Sequence, residues 1–172
     1  MKNHPSATKR EAQDPAGAGE IQSSSLEAGD NWLETYLPYQ LYRVSCLMNA
    51  RLQGKLRKSG VNLSQWRVLS VLRSHGRLSL TRIVEHTLME QPTVSRVVSQ
   101  LELDGMTDRR ISSEDSRIFE VGLTPKGAAT FNAIVPAAFR HERTALEGLG
   151  EDRLAALRLM LQHIEQNIAL EW

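Results

Sequence analysis

The chain has 172 residues, of which 41% are apolar and 24% charged, with a formal net charge of +1 and a single cysteine. This length buries a real core in one modest domain, or one domain with a tail. The lone cysteine excludes an internal disulfide framework, and no apolar run approaches a membrane span. The near-neutral total gives no bulk argument for an acidic partner, so any nucleic-acid reading must rest on where groups are placed.

Residues 1–30 are rich in Ser, Ala, Gly, Pro and charge and poor in large apolar groups, which predicts a disordered tail. They lack the apolar core of a signal peptide, and together with the single Cys46 this fits a cytoplasmic protein. From Asn31 the texture changes: Leu33, Leu37, Leu41, Val44, Met48 and Leu52 recur at steps of three and four, the period of one helical face. Pro38 either starts the main helix as its first residue or kinks a longer one. Basic residues outnumber acidic ones five to one over residues 31–60, and the two balance at eight each over 61–124.

A second helix is predicted over "NLSQWRVLSVLRSHG", capped by Ser64, stapled by Leu63 and Val68 and ended by Gly76. A third, of about eight residues, is predicted in "LSLTRIVEHTLME", with Ser79 as cap. After a turn of about three residues, "QPTVSRVVSQLELDG" starts with Pro92 near its first turn. Val94, Val97, Val98 and Leu101 form its buried stripe, and Gly105 stops it. "TDRRI" and "RIFEVGL" are strand candidates around the polar turn "SSED", with Phe119, Val121 and Leu123 on one face. Thr124-Pro125 opens a helix to about residue 147, which Pro136 is expected to bend. A last helix over 151–170 carries a short seam of Leu154, Leu157, Leu161, Ile164 and Ile168.

A short helix, a tight turn and a second helix make a helix-turn-helix arrangement. Setting the valine stripe aside leaves Gln91, Thr93, Ser95, Arg96, Ser99 and Gln100 facing outward, with no carboxylate among positions 91–100. Amides, hydroxyls and a guanidinium are the groups that read base edges in a major groove. A following hairpin makes the unit a winged helix. Arg117, just past the hairpin turn, then suits a narrow minor groove, where negative potential concentrates. Asp115 is expected to brace the turn by accepting from turn amides and from Arg109 or Arg110. The plainer alternative is a surface ion pair with Arg117. Ser79, Thr81 and Arg82 are candidate phosphate contacts, although Arg82 equally suits a pair with Glu85 or Glu90.

"LSQWRVLSVL", "PTVSRVVSQLELDGM", the "RRISSEDSR" wing and "VGLTPKG", in this order, resemble the MarR family of bacterial transcriptional regulators over roughly residues 35–168. Met106, Thr107 and the Asp-Ser-Arg of the wing depart mildly from the commonest family pattern. The resemblance implies a mainly α fold with a small β-hairpin wing, a winged helix-turn-helix joined to a helical dimerisation domain. It divides the chain into the tail (1–30), dimerisation helix one (31–60), the DNA-binding region (61–124) and C-terminal dimerisation helices (125–172). It further implies a homodimer on a pseudo-palindromic double-stranded operator, usually a repressor released by a small ligand. By the family pattern Gln91, Pro92, Thr93, Ser95, Arg96 and Ser99 lie in the major groove and Arg117 in the minor groove. The apolar stripe of the first helix and the seam of the last independently call for a partner, because one small winged helix cannot cover both.

In such proteins ligands sit between the dimerisation helices and the winged helix. Tyr39, Arg43 and Trp66 are candidate lining residues, a mixture of aromatic wall and cation suited to a flat anionic effector. Cys46 lies inside the first helix with Arg43 a turn away, and a buried inert thiol is expected there in preference to a redox sensor. The five histidines share no ligand spacing and no Gly-rich phosphate loop is present, so no metal, cofactor or catalytic set is expected. The competing class is a winged-helix interaction module that binds no DNA. It would show acids or large apolar groups across 91–100, where there are none.

Overall fold

The computed structural model describes residues 31–169; the tail expected over 1–30 lies outside them. A short helix α1 (Trp32–Thr35) leads into α2 (Leu37–Leu56), with Pro38 as the second residue of α2. A 3-10 turn over Arg57–Ser59 ends at Gly60, and then come α3 (Leu63–His75), α4 (Leu80–Thr87) and α5 (Gln91–Leu103). The wing strands β2 (Thr107–Ile111) and β3 (Phe119–Leu123) precede α6 (Pro125–Ala145) and α7 (Glu151–Ala169). Pro136 lies inside α6, which continues past it.

Three details differ from the sequence reading. The cap of α3 is Asn62, not Ser64. Its side chain accepts the Gln65 N–H while the Gln65 side chain accepts the Asn62 N–H, satisfying two orphan donors reciprocally. A two-residue strand β1 (Leu78–Ser79) was not foreseen; it pairs antiparallel with β3 and makes the wing a three-stranded sheet of order β1-β3-β2. The third strand begins at Phe119, which leaves Arg117 and Ile118 in the turn.

The core lies where α3, α4 and α5 meet the sheet. Val68, Leu69, Ile83, Val94, Val98 and Leu101 are fully buried, with Val121 from β3, Leu56 from α2 and Ile134 from α6 closing it. Each such side chain contributes roughly 1.5–3 kcal/mol through burial. The stripe on α5 is therefore the predicted one, and it fixes which face of that helix remains outside. By contrast, α7 has no buried residue. Leu157 and Leu161 of its seam, like Leu33, Leu37 and Leu41 of the first stripe, lie exposed in the single chain.

Candidate nucleic-acid interface

The turn between α4 and α5 is Leu88–Glu90, three residues as expected. The Ser79 hydroxyl caps α4 by accepting the Arg82 N–H at 3.3 Å. On α5, Gln91, Pro92, Arg96, Ser99 and Gln100 are exposed, whereas Thr93 and Ser95 are half-buried at the edge of the stripe. Carboxylates flank this face only at its two ends; at the C-terminal one Asp104 accepts a hydrogen bond from Gln100 Nε2 at 3.1 Å. Glu90 sits at the helix start, and Glu102 is held by Arg109 Nε at 3.0 Å. Among the described residues Arg96 takes part in no ion pair, so its guanidinium faces solvent uncompensated.

The wing turn is closed by its own backbone. Ser112 N–H donates to the Ile118 carbonyl at 2.8 Å and Ile118 N–H to the Asp115 carbonyl at 3.0 Å. Asp115 Oδ1 accepts the Arg117 N–H at 2.9 Å, an Asx-type brace. The expected help from Arg109 or Arg110 is absent. Arg109 reaches back to Glu102 and, at 3.4 Å, to the Ser99 hydroxyl on α5, and Arg110 donates to Asp108 Oδ2 at 3.1 Å. Nor do the Asp115 and Arg117 side chains form an ion pair: the contact uses the Arg117 amide and leaves its guanidinium outward. The Arg109 guanidinium is instead committed to the α5 side of the wing through Glu102 and Ser99.

Ser79, Thr81, Arg109 and Arg117 line one concavity of about 320 Å³ between the start of α4 and the wing. It therefore joins two of the phosphate candidates to the wing arginine. Arg82, the third, pairs with Glu85 at 2.5 Å across one turn of exposed helix, the plainer of its two expected roles and a weak one in stability terms.

Asp108 carries the resolved carboxylate shift of this region. The Arg77 hydrogen bond pulls its pKa below the ordinary value and burial partly opposes this, with the Arg77 charge and Arg110 adding to the lowering. Gln65, nearly buried, reaches Asp104 Oδ2 at 3.5 Å and ties α3 to the end of α5. The tertiary contacts of Asp108 and Gln65 cross more than thirty positions, to Arg77 and Asp104, and no local spacing announces them.

The ligand candidates fall into two places. Tyr39 and Arg43 border a cavity of about 480 Å³ with Glu34, Gln40 and Val44. Trp66 instead stacks on Phe131, ring centroids 5.0 Å apart, beside a separate apolar cavity of about 420 Å³ completed by Val135, Ala138, Phe139 and Glu142. Phe131 and Phe139 of α6 are thus brought to Trp66 by tertiary packing. Cys46 is exposed in the single chain, not buried as expected, because its stretch of α2 faces away from the core. Hydrogen bonding with Cys46, and then its charge, raises the pKa of Tyr42 one turn away. Among the described residues no group of three His, Cys, Asp or Glu is placed to hold a metal, and no helix is long and apolar enough to cross a membrane.

Residues 59–118 match the family model described as MarR family. The chain is 26% identical over 163 residues to the HTH-type transcriptional repressor IacR of Pseudomonas putida, covering 94% of this chain and 96% of that protein. A MarR family transcriptional regulator from Silicibacter pomeroyi superposes with a TM-score of 0.74 at 28% identity, covering 84% of this chain and 97% of that one. Bordetella bronchiseptica BpsR, described for regulation of its DNA binding by 6-hydroxynicotinic acid, superposes with a TM-score of 0.67 at 27% identity, covering 75% and 98%. The acid-free outer face of α5, the wing beyond it and these likenesses agree: the winged helix-turn-helix region over residues 59–118 is of the MarR family, and the chain as a whole resembles that family's DNA-binding transcriptional regulators.

Proposed function

We propose that the protein is a cytoplasmic homodimeric repressor that binds a pseudo-palindromic operator and is released by a small anionic, aromatic effector. In this reading Gln91, Pro92, Thr93, Ser95, Arg96 and Ser99 enter the major groove, and Arg117, braced through Asp115, enters the adjacent minor groove. Ser79 and Thr81 contact the phosphates between, and Arg82 joins them by exchanging Glu85 for a phosphate. The observation that carries it is the concavity that sets Arg117 and Arg109 beside the Ser79–Thr81 helix start, next to a helix face free of acids.

The exposed apolar stripes of α2 and α7 support dimerisation, which would space two copies of α5 by about one turn of DNA, roughly 34–36 Å. Repression is supported by the naming of IacR as a repressor, and an aromatic acid by the 6-hydroxynicotinic acid of BpsR. Tyr39 with Arg43, or Trp66 with its α6 neighbours, would supply the aromatic wall for such an effector.

The test is an unbiased selection of double-stranded DNA against the purified protein at near-physiological salt. Enrichment of a palindrome with half-sites about one turn apart is expected. Failure to enrich any motif would overturn the operator-binding reading in favour of a protein-interaction module.

A further inference from the structure

Arg77 stands between the Gly76 that ends α3 and the short strand β1, and its side chain crosses the base of the wing. The guanidinium donates to Asp108 Oδ1 at 2.8 Å, to the Asp108 carbonyl at 3.3 Å and to the Glu120 carbonyl at 3.5 Å. One side chain thus holds both strands of the hairpin. Asp108 is paired in register with Gly122. A Cβ on Gly122 would meet Arg77 Cζ at 2.8 Å and Cγ at 2.9 Å, and its Nη1 closer still. The arginine therefore fills the space that any other residue at position 122 would occupy.

Asp108 and Arg109 are adjacent in β2 and so project from opposite faces. On one face Arg77 anchors the hairpin to the connection leaving α3. On the other, Arg109 straps it to Glu102 and Ser99 of α5. The Arg77 and Asp108 side chains are 28% and 34% exposed and those of Arg109 and Glu102 are 42% and 27%, so both anchors are partly sheltered, and the first alone bonds both strands of the hairpin. Arg110 shares the same carboxylate from its solvent side.

We infer that Arg77 is the positioning residue of the wing: its guanidinium, lodged over Gly122 and bonded to Asp108 and Glu120, sets the angle of the hairpin and so the place of Arg117 relative to α5. The inference rests on the reading that Arg117 enters DNA. Three residue steps separate the Asp108–Gly122 pair from the Ile111–Phe119 pair, about 10 Å of strand, with the turn further out. A tilt of about 10° at the base then moves the tip by about 2 Å, more than a groove hydrogen bond tolerates.

The experiment measures affinity for a duplex obtained by selection, with Arg96→Ala and Arg117→Ala each introduced into the wild type, Arg77→Met and Gly122→Ala. Gly122→Ala leaves the Arg77 charge in place and displaces its side chain from Cγ to the guanidinium, so it separates position from charge; thermal melting establishes that each variant is folded. In the wild type Arg117→Ala is expected to weaken binding about tenfold. In Arg77→Met and in Gly122→Ala its cost should shrink to about twofold or less, while the cost of Arg96→Ala stays constant. An Arg117→Ala cost that is equal in all three backgrounds overturns the inference. So does a parallel loss of both costs, which would make Arg77 a general stability residue. If neither alanine variant weakens wild-type binding, the DNA reading itself has failed, a separately recognisable result, and the inference falls with it.

Discussion

Thr124 donates its hydroxyl proton to the carbonyl of Gly105 at 2.7 Å while the same oxygen accepts the Gly127 N–H at 3.1 Å. The end of α5 is thereby bonded to the start of α6. Thr124 N–H adds a 3.1 Å bond to the Met106 carbonyl, and Lys126 Nζ reaches the Asp104 carbonyl at 2.6 Å. The α5 end carbonyls of Gln100, Leu101 and Glu102 are met by the N–H groups of Asp104, Met106 and Gly105, and the carbonyls of those three turn residues are met in their turn by Thr124 and Lys126 at the start of α6.

This junction predicts an order of damage. Thr124→Ala removes a cap and a tertiary bond and should cost about 1–2 kcal/mol in urea unfolding. Gly127→Ala should cost at least as much, about 1–3 kcal/mol, because an added Cβ would overlap the Met106 carbonyl oxygen and the backbone must move. A Gly127→Ala variant as stable as the wild type would contradict the packing described.

Leu88, in the turn before α5, has φ 53° and is 91% exposed. It has a left-handed backbone and almost no packing to lose. Leu88→Gly should therefore raise stability by roughly 0.5–1 kcal/mol, with Leu88→Ala giving no gain because a Cβ remains. Thermal melting of the two variants, compared with the wild type, distinguishes backbone relief from any effect of removing an exposed apolar group.

Acid lability should run through Asp108. Its carboxyl is held below the ordinary value first by the Arg77 hydrogen bond. A carboxylate lowered on folding stabilises above its unfolded pKa of about 3.9, and that contribution is lost as pH falls through the lower folded value. Asp108→Asn should thus be less stable than the wild type at neutral pH, and the two should converge in strong acid. Curves that stay parallel from pH 7 to pH 2 would contradict the role given to the pair.

The seam of α7 carries a prediction for assembly. Leu157 and Leu161 are exposed in the single chain, and burying them against a second copy is the expected use. Replacing both with Glu should give a folded monomer by light scattering, with a large loss of affinity for palindromic DNA and little change in the helix content of the protein. Retention of a dimer would place the interface elsewhere.

Helix α5 was legible because its pattern is local. Val94, Val97, Val98 and Leu101 repeat with the helical period, and each is buried. The cap of α3 was also legible, since Asn62 and Gln65 carry the spacing of a capping box, but Ser64 drew the assignment two residues late. What the sequence hid is non-local. Arg77 meets Asp108 across 31 positions, Arg109 meets Ser99 and Glu102 instead of Asp115, and β1 is too short to show any period. Trp66 was a candidate for the wall of an effector site, but its neighbour Phe131 is set by how α6 crosses α3, which no local spacing encodes.

The most direct test of the central claim is a base-by-base affinity scan of a selected operator with the wild type, Arg96→Ala and Arg117→Ala. Arg96→Ala should flatten discrimination at one position of each half-site, at a cost of about 1–3 kcal/mol. Arg117→Ala should weaken a flanking preference for a narrow minor groove and leave the central positions unchanged. Uniform weakening across all sequences by both variants, or none by either, would contradict it.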